Sequence, residues 1–326
     1  MESTEIDEVS QLVALAGPED LLDACRKFVQ AVPFPCLDVS RYISVLRSRK
    51  SESTTTAAVL CMYELEILLF YRSEPANMEE ADQMFKSLSN LSQKKTSSVD
   101  PFVKLKYYDL LTDYQYFYSP DKELKLMDLV NRKLNSLSMV PHYNHGVVED
   151  VQLKILIFYL MSGADFRKRN VQQYLTEEHI LLRSHGEAID SYKGAYVKRT
   201  LINPTLLNSF LTAVSYLSGV FHFVCSRYRM QLLENFLDVN ISRLPRYFTS
   251  IRIERIYGLL LEGDHTIDVE DVVYRMIVAN ELPPGTSLDQ LEGLVRFGEP
   301  PTEYDDFNNH VKSVCRLVDR ISSERT

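Results

Sequence analysis

Glycine is scarce in this chain, with 11 glycines among 326 residues. Nucleotide-binding folds depend on glycine loops that bring the backbone close to phosphate groups. The sequence also contains no P-loop, no Gly-x-Ser-x-Gly motif and no protein-kinase signature. These absences argue against a nucleotide-dependent enzyme and favour a chain made of successive helices.

Paired cysteine motifs are missing as well. The five cysteines are an odd number, and no two of them form a Cys-x-x-Cys pair. Zinc sites and disulfide frameworks need tighter, paired spacing. The cysteines therefore indicate reduced, partly buried thiols in a cytosolic or nuclear protein.

A basic surplus and a long apolar run are also absent. The formal net charge is −9, whereas proteins that bind nucleic acid usually carry an excess of positive charge. No apolar run reaches the roughly 18 residues that a membrane helix needs. The N-terminal segment MESTEIDEVS is acidic, unlike a signal peptide. We therefore expect protein partners and neither secretion nor a membrane span.

Apolar residues at helical spacing dominate the first three quarters of the chain. Hydrophobic residues make up 45% of the sequence, which is enough for a substantial core. Dense apolar segments at 57–71, 102–118 and 147–161 predict buried helices. Short polar connections between them predict an all-α fold of stacked, TPR-like helical hairpins, with a small β component later. We assign 1–145 to an N-terminal helical-repeat region and 146–245 to further helices. The same spacing predicts single helices over 171–182 and 206–220, and Gly194 and Pro204 mark a loop between them.

The pattern changes after Pro245 and predicts a winged helix over 246–299. A short strand near Ile251 precedes a helical face that runs to Leu261. Asp268 is positioned as the N-cap of the next helix. A two-stranded ribbon turning at Glu292-Gly293 follows. Strand, helix, turn, helix and ribbon is an order that also occurs in DNA readers.

The charge of this segment disfavours nucleic-acid binding. Acidic residues outnumber arginines between Pro245 and Pro300, and no lysine is present. The helix that would enter DNA begins Asp268-Val269-Glu270-Asp271. Carboxylates at that end would repel phosphates.

The tail over 302–326 predicts a separate amphipathic helix, which follows the Pro300-Pro301 break. A helix of this length with one apolar seam is marginal alone in water. It can pack on its own chain or insert into a bundle with other subunits. The seam residues are spaced 3, 4, 3, 4 and 3 apart, as in a heptad repeat, and they are Tyr304, Phe307, Val311, Val314, Val318 and Ile321.

Candidate catalytic groups are few. His142 and His145 are three residues apart, but Pro and Gly neighbours indicate a surface loop, and no third metal ligand is recognisable. His222 and Cys225 share a helix face without a group that would orient them as base and nucleophile. We therefore predict no catalytic residue, no metal and no cofactor.

The segment from Leu288 to Phe297 reads LDQLEGLVRF. It resembles the wing of the PCI domain, which is shared by the proteasome lid, the COP-nine signalosome and eukaryotic translation initiation factor three. The resemblance implies a wing interface formed by Leu288, Asp289, Gly293, Val295 and Phe297. The stretch from Asn240 to Phe248 is similar to signalosome subunit three. The tail from Tyr304 to Ser323 is similar to signalosome subunits three and four.

The resemblance implies a non-catalytic scaffold subunit of the signalosome, which removes a ubiquitin-like modifier from cullin-RING ligases. The chain also lacks the His-x-His … Ser … Asp motif of the zinc isopeptidase subunits in such complexes. Its expected partners are other PCI-domain subunits and MPN-domain subunits, in cytoplasm and nucleus, with no small-molecule substrate. The alternatives are a subunit of the proteasome lid or of translation initiation factor three. A further alternative is a winged-helix mRNA-export adaptor that binds nucleic acid.

Overall fold

The fold is mostly helical with one small sheet, which confirms the predicted fold class. The computed structural model describes residues 2–36, 38–50, 53–72, 78–89, 99–118, 125–140, 144–263 and 265–298. Within these ranges there are 15 α-helices and one 3-stranded antiparallel sheet. The predicted tail helix and its seam residues lie outside the described residues.

The elements occur in the following order. The helices of the first half are α1 Glu2–Leu15, α2 Leu21–Ala31, α3 Val39–Ser48, α4 Thr54–Phe70, α5 Met78–Leu88, α6 Pro101–Phe117, α7 Leu126–Leu137 and α8 Gly146–Met161. The remaining elements are α9 Lys168–Glu177, α10 Glu187–Val197, α11 Pro204–Ser215, α12 Gly219–Arg227, α13 Arg229–Ile241, β1 Ser250–Arg252, α14 Ile253–Leu260, α15 Val269–Val278, β2 Ser287–Asp289 and β3 Leu294–Arg296.

The chain divides into two compact units. Among the described residues, the first unit contains 2–194 and 205–232, and the second contains 195–204 and 233–298. The predicted boundary at 145–146 falls inside the first unit, where α8 packs against α6 and α7. The second unit contains all three strands.

Helices that follow one another in the chain pack together in the first unit. Helix α4 packs against α2, α3, α5, α6 and α12, and α8 packs against α7 and α9. Both helices are apolar around most of their circumference, which is typical of helices buried on all sides. Ile67 in α4 and Ile155 in α8 are fully buried.

Three local predictions were wrong. The segment 171–182 is interrupted because His179 adopts a left-handed conformation (φ 56°), and a 3-10 turn follows at Ile180–Leu182. The segment 206–220 is two helices, since the Ser218 side chain accepts a hydrogen bond from the Phe221 N–H and starts α12. Gly194 lies inside α10 rather than in a loop, and a Cβ at this position would meet nothing within 4 Å.

The second unit has winged-helix topology. Its elements follow the order β1, α14, α15, β2, β3, and the strands lie in the order β1-β3-β2. Val295 in the central strand β3 is opposite Ile251 of β1 on one side and opposite Leu288 of β2 on the other. Asp268 caps α15 as predicted, because its carboxylate accepts from the N–H groups of Glu270 and Asp271.

The segment Ala195–Pro204, from earlier in the chain, belongs to this second unit. Asn240 is fully buried, and its side-chain oxygen accepts from the Ile202 N–H at 2.8 Å. Arg243 donates to the carbonyls of Thr200 and Tyr196. These bonds provide partners for backbone groups of the buried Ile202 and Tyr196 and of the exposed Thr200.

Candidate interaction surface

Strand β2 forms an edge of the sheet. β3 pairs with β1 on one side and with β2 on the other, and β2 pairs with β3 alone among the described residues. An edge strand presents backbone N–H and C=O groups that can pair with another chain. The edge at Ser287–Asp289 therefore has the geometry that strand addition would require.

The five predicted wing residues have different roles in this ribbon. Val295 is fully buried under the sheet. Gly293 has a φ of 57° in the turn, a conformation that glycine adopts without steric cost. The Asp289 carboxylate accepts from the Leu291 and Glu292 N–H groups and so shapes the turn. Leu288 and Phe297 are half-buried, which leaves part of each available to a partner.

Leu291 at the tip of the wing is 100% exposed. It lies beside a groove of about 370 Å³ that runs along the β2 edge. The exposure of Leu291 was not predicted, although an apolar side chain in a tight polar turn was the available signal. The groove is lined by Ser287, Leu288, Asp289, Gln290, Leu291 and Arg296.

The outer face of α15 adds two exposed apolar side chains. Tyr274 and Val278, one helical turn apart, are 57% and 63% exposed. The Gln290 side chain donates to Glu270 at 2.9 Å and links the wing to the start of this helix. Arg275, the one basic residue in α15, lies 3.2 Å from Asp238. This face therefore presents apolar groups and carboxylates, a combination that favours a protein over a phosphate backbone.

The groups considered for catalysis serve as packing and capping elements. His145 caps α8 by accepting from the Val147 N–H at 3.2 Å, and its ring stacks on Phe102; His142 is outside the described residues. The His222 ring packs against Phe34. Burial raises the pKa of Cys225 to about 12, which disfavours the nucleophilic thiolate.

No group of three or more His, Cys, Asp or Glu side chains could hold a metal ion in the part of the chain that the structure describes. No described helix has the length and apolarity to cross a bilayer.

The first unit contains a buried group of charged side chains on α6, α7 and α8. Asp109 and Asp113 on α6 are one turn apart and face Lys133 on α7 and Lys154 on α8. Burial alone would raise the pKa of Asp109, but the ammonium groups of Lys133 and Lys154 outweigh it and hold that pKa well below its usual range. Each charge has an opposite partner, so the cluster fixes how these helices pack.

Comparison with known proteins adds no assignment. No protein-family model matches the chain, and no curated protein sequence matches it at a significant level. The candidate surface therefore depends on the geometry of the wing and of α15.

Proposed function

We propose that this chain is a non-catalytic scaffold subunit of a multi-subunit PCI assembly. The open β2 edge beside the exposed Leu291 is the observation that carries the proposal. Within that class, we propose that the chain is most like subunit three, or else four, of the signalosome that deneddylates cullin-RING ligases. Its proposed partners are PCI-domain and MPN-domain subunits in cytoplasm and nucleus.

The winged helix would associate through strand addition. A partner strand placed along Ser287–Asp289 would extend the sheet by backbone hydrogen bonds. Leu288 and Leu291 would supply apolar contact area in the adjoining groove. The seam at Tyr304–Ile321 would provide a second contact by insertion into a helical bundle, as its heptad spacing supports.

Purification of the tagged full chain from its own cells tests this proposal. We expect PCI-domain and MPN-domain proteins to co-purify, and the identity of those proteins separates the signalosome from the proteasome lid and the translation factor. Leu291→Asp should weaken their recovery by about tenfold or more, since a desolvated apolar contact is replaced by a charge.

Leu182→Asp is the matched control, because Leu182 is also a highly exposed leucine (80%) but lies in the first unit. Deletion of 303–326 should reduce the size of the assembly. Equal recovery with Leu291→Asp, with the deletion and with the intact chain would contradict the scaffold role. Salt-sensitive RNA binding without co-purifying subunits would favour the mRNA-export alternative.

A further inference from the structure

The sheet of the second unit has a second edge, which is formed by β1. Among the described residues, β1 pairs with β3 alone. The backbone groups of Thr249 and Ile253, just before and just after the strand, are hydrogen-bonded toward the β3 side at 2.9 and 2.8 Å. Residues along an antiparallel strand alternate between facing the paired strand and facing away from it. The backbone N–H and C=O groups of Ser250 and Arg252 therefore point away from β3.

Both of these residues are accessible. The side chains of Ser250 and Arg252 are exposed, whereas Ile251 between them is buried under the sheet. An edge strand whose backbone groups point outward can accept another extended chain. The β1 edge thus offers backbone donors and acceptors that a polypeptide can complete.

Arginines flank this edge. From Asn240 to Leu261 the chain has four arginines and one carboxylate, Glu254, although the net charge of the whole chain is −9. Arg246 lies in the turn before β1, and Arg255 lies in the first turn of α14. The Arg255 guanidinium is 5.7 Å from the centroid of the Phe248 ring. Since Phe248 precedes the strand and Arg255 follows it, this contact places the guanidinium alongside β1.

These arginines are not neutralised within the second unit. Arg246, Arg252 and Arg255 are exposed, and they form no ion pair with a described carboxylate. The carboxylates of α13 that are nearest in sequence, at 234 and 238, pair with Arg275 instead. Guanidinium groups bind carboxylates through two parallel hydrogen bonds. The β1 edge therefore combines outward backbone groups with cations that can take an acidic partner.

A neighbouring segment adds positive charge. Two hydrogen bonds from Arg243 hold the segment 195–204 beside the turn that precedes β1. Lys198 and Arg199 in this segment are exposed, and the segment has no acidic residue. Charges of one sign raise the local potential and attract chains of the opposite sign.

We propose that the β1 edge binds an extended segment of a partner protein, rich in Asp and Glu, as an added strand. Side chains alternate along a strand, so acidic residues at every second position of that segment face Arg252. Oppositely charged neighbours across two strands stabilise their pairing. A nucleic acid can also meet arginines, but it has no backbone amides to pair with Ser250 and Arg252. The site is at the edge opposite β2, so this binding goes beyond the scaffold role and does not depend on it.

Titration of the full chain into a labelled, end-capped peptide of alternating Glu and Thr tests the proposal, with fluorescence anisotropy as the measurement. A peptide of alternating Gln and Thr is the neutral comparison. The acidic peptide should bind saturably, with a Kd at least about tenfold lower than that of the neutral peptide. Arg252→Glu should raise the Kd of the acidic peptide by about tenfold, because like charges then face each other across the two strands.

Arg169→Glu is the matched control. Arg169 is also an exposed arginine, but it lies in the first unit. The variant has the same change in net charge as Arg252→Glu, and its Kd should equal that of the natural chain. Equal losses in the two variants would indicate a general charge effect and overturn the proposal. Equal Kd values for the acidic and neutral peptides would overturn it too.

Ser250→Pro tests the backbone contribution separately. It removes one outward N–H and no charge, and edge strands tolerate proline. The Kd of the acidic peptide should rise by about threefold or more, and an unchanged Kd would contradict strand addition. Oligothymidylate is the polyanion comparison. Tighter binding of oligothymidylate than of the acidic peptide would indicate a nucleic-acid surface and overturn the proposal.

Discussion

Lys133 and Asp113 form an ion pair in which both side chains are completely buried, with 2.6 Å between Nζ and Oδ1. Lys133 also pairs with Asp109, and Lys154 pairs with both aspartates. Two ammonium groups and two carboxylates therefore alternate around a closed arrangement that joins α6, α7 and α8. Taking such charges out of water is costly, and the complete set of partners offsets that cost.

Removal of one member should be strongly destabilising. We expect Lys133→Met to lower the free energy of unfolding by about 3–5 kcal/mol, because Asp109 and Asp113 would stay buried with a single cation between them. Urea unfolding measures the change. Arg47→Met is the control, since the Arg47–Glu64 pair has a 60% exposed arginine and should cost at most about 1 kcal/mol. Similar losses in the two variants would contradict the importance of burial.

Acid should weaken the first unit through the same cluster. The pKa of Asp109 is depressed in the folded chain, so its contribution is fully present above the unfolded pKa of about 3.9. That contribution disappears as the pH falls from there toward the folded pKa. We expect the free energy of unfolding to decrease below about pH 4.

The measurement is a series of urea unfolding curves from neutral to acid pH. Asp109→Asn cannot titrate at this position and should show a shallower loss of stability, even though it is less stable at neutral pH. An identical slope in the natural chain and the variant would show that other carboxylates cause the acid sensitivity.

Asn240 should stabilise the second unit measurably. Asn240→Ala would leave the buried Ile202 N–H without its acceptor, at a cost of about 1–3 kcal/mol. Asn208→Ala, at an exposed asparagine, should change stability by at most about 0.5 kcal/mol. Thermal unfolding of both variants is the appropriate comparison, and a neutral Asn240→Ala would refute the structural role of this amide.

Two glycines offer a matched steric test. A Cβ at Gly219 would lie 2.5 Å from the Tyr71 ring, whereas a Cβ at Gly258 would meet nothing within 4 Å. Gly219→Ala should therefore destabilise by about 1–3 kcal/mol. Gly258→Ala lies inside α14 and should stabilise by up to about 1 kcal/mol. Chemical denaturation would measure both changes, and the same sign for both would contradict this packing.

The sequence pattern predicted those elements that are determined by residues close together in the chain. Helix α4 follows from an apolar run without glycine, and the start of α15 follows from the capping chemistry of Asp268. The turn of the wing was predictable in the same way, since Glu292-Gly293 separates the residues that form β2 and β3.

Interactions between distant segments were beyond the reach of the sequence. The pairing of Lys133 and Lys154 was not predicted, because an isolated lysine on a helix gives no sign of a carboxylate 24 or 45 residues away. The exposure of Leu291 has the same origin. Each of these features depends on which distant segments the fold places next to one another. The seam at Tyr304–Ile321 remains a prediction.

The place of Ala195–Pro204 in the second unit governs how this protein can be dissected. An expression fragment that starts at Leu233 would omit the backbone that Asn240 and Arg243 hold. Truncation experiments on the winged helix should therefore retain residue 195 onward, although 205–232 then travels with it. Limited proteolysis within 205–232 would yield two fragments that stay associated until a denaturant is added.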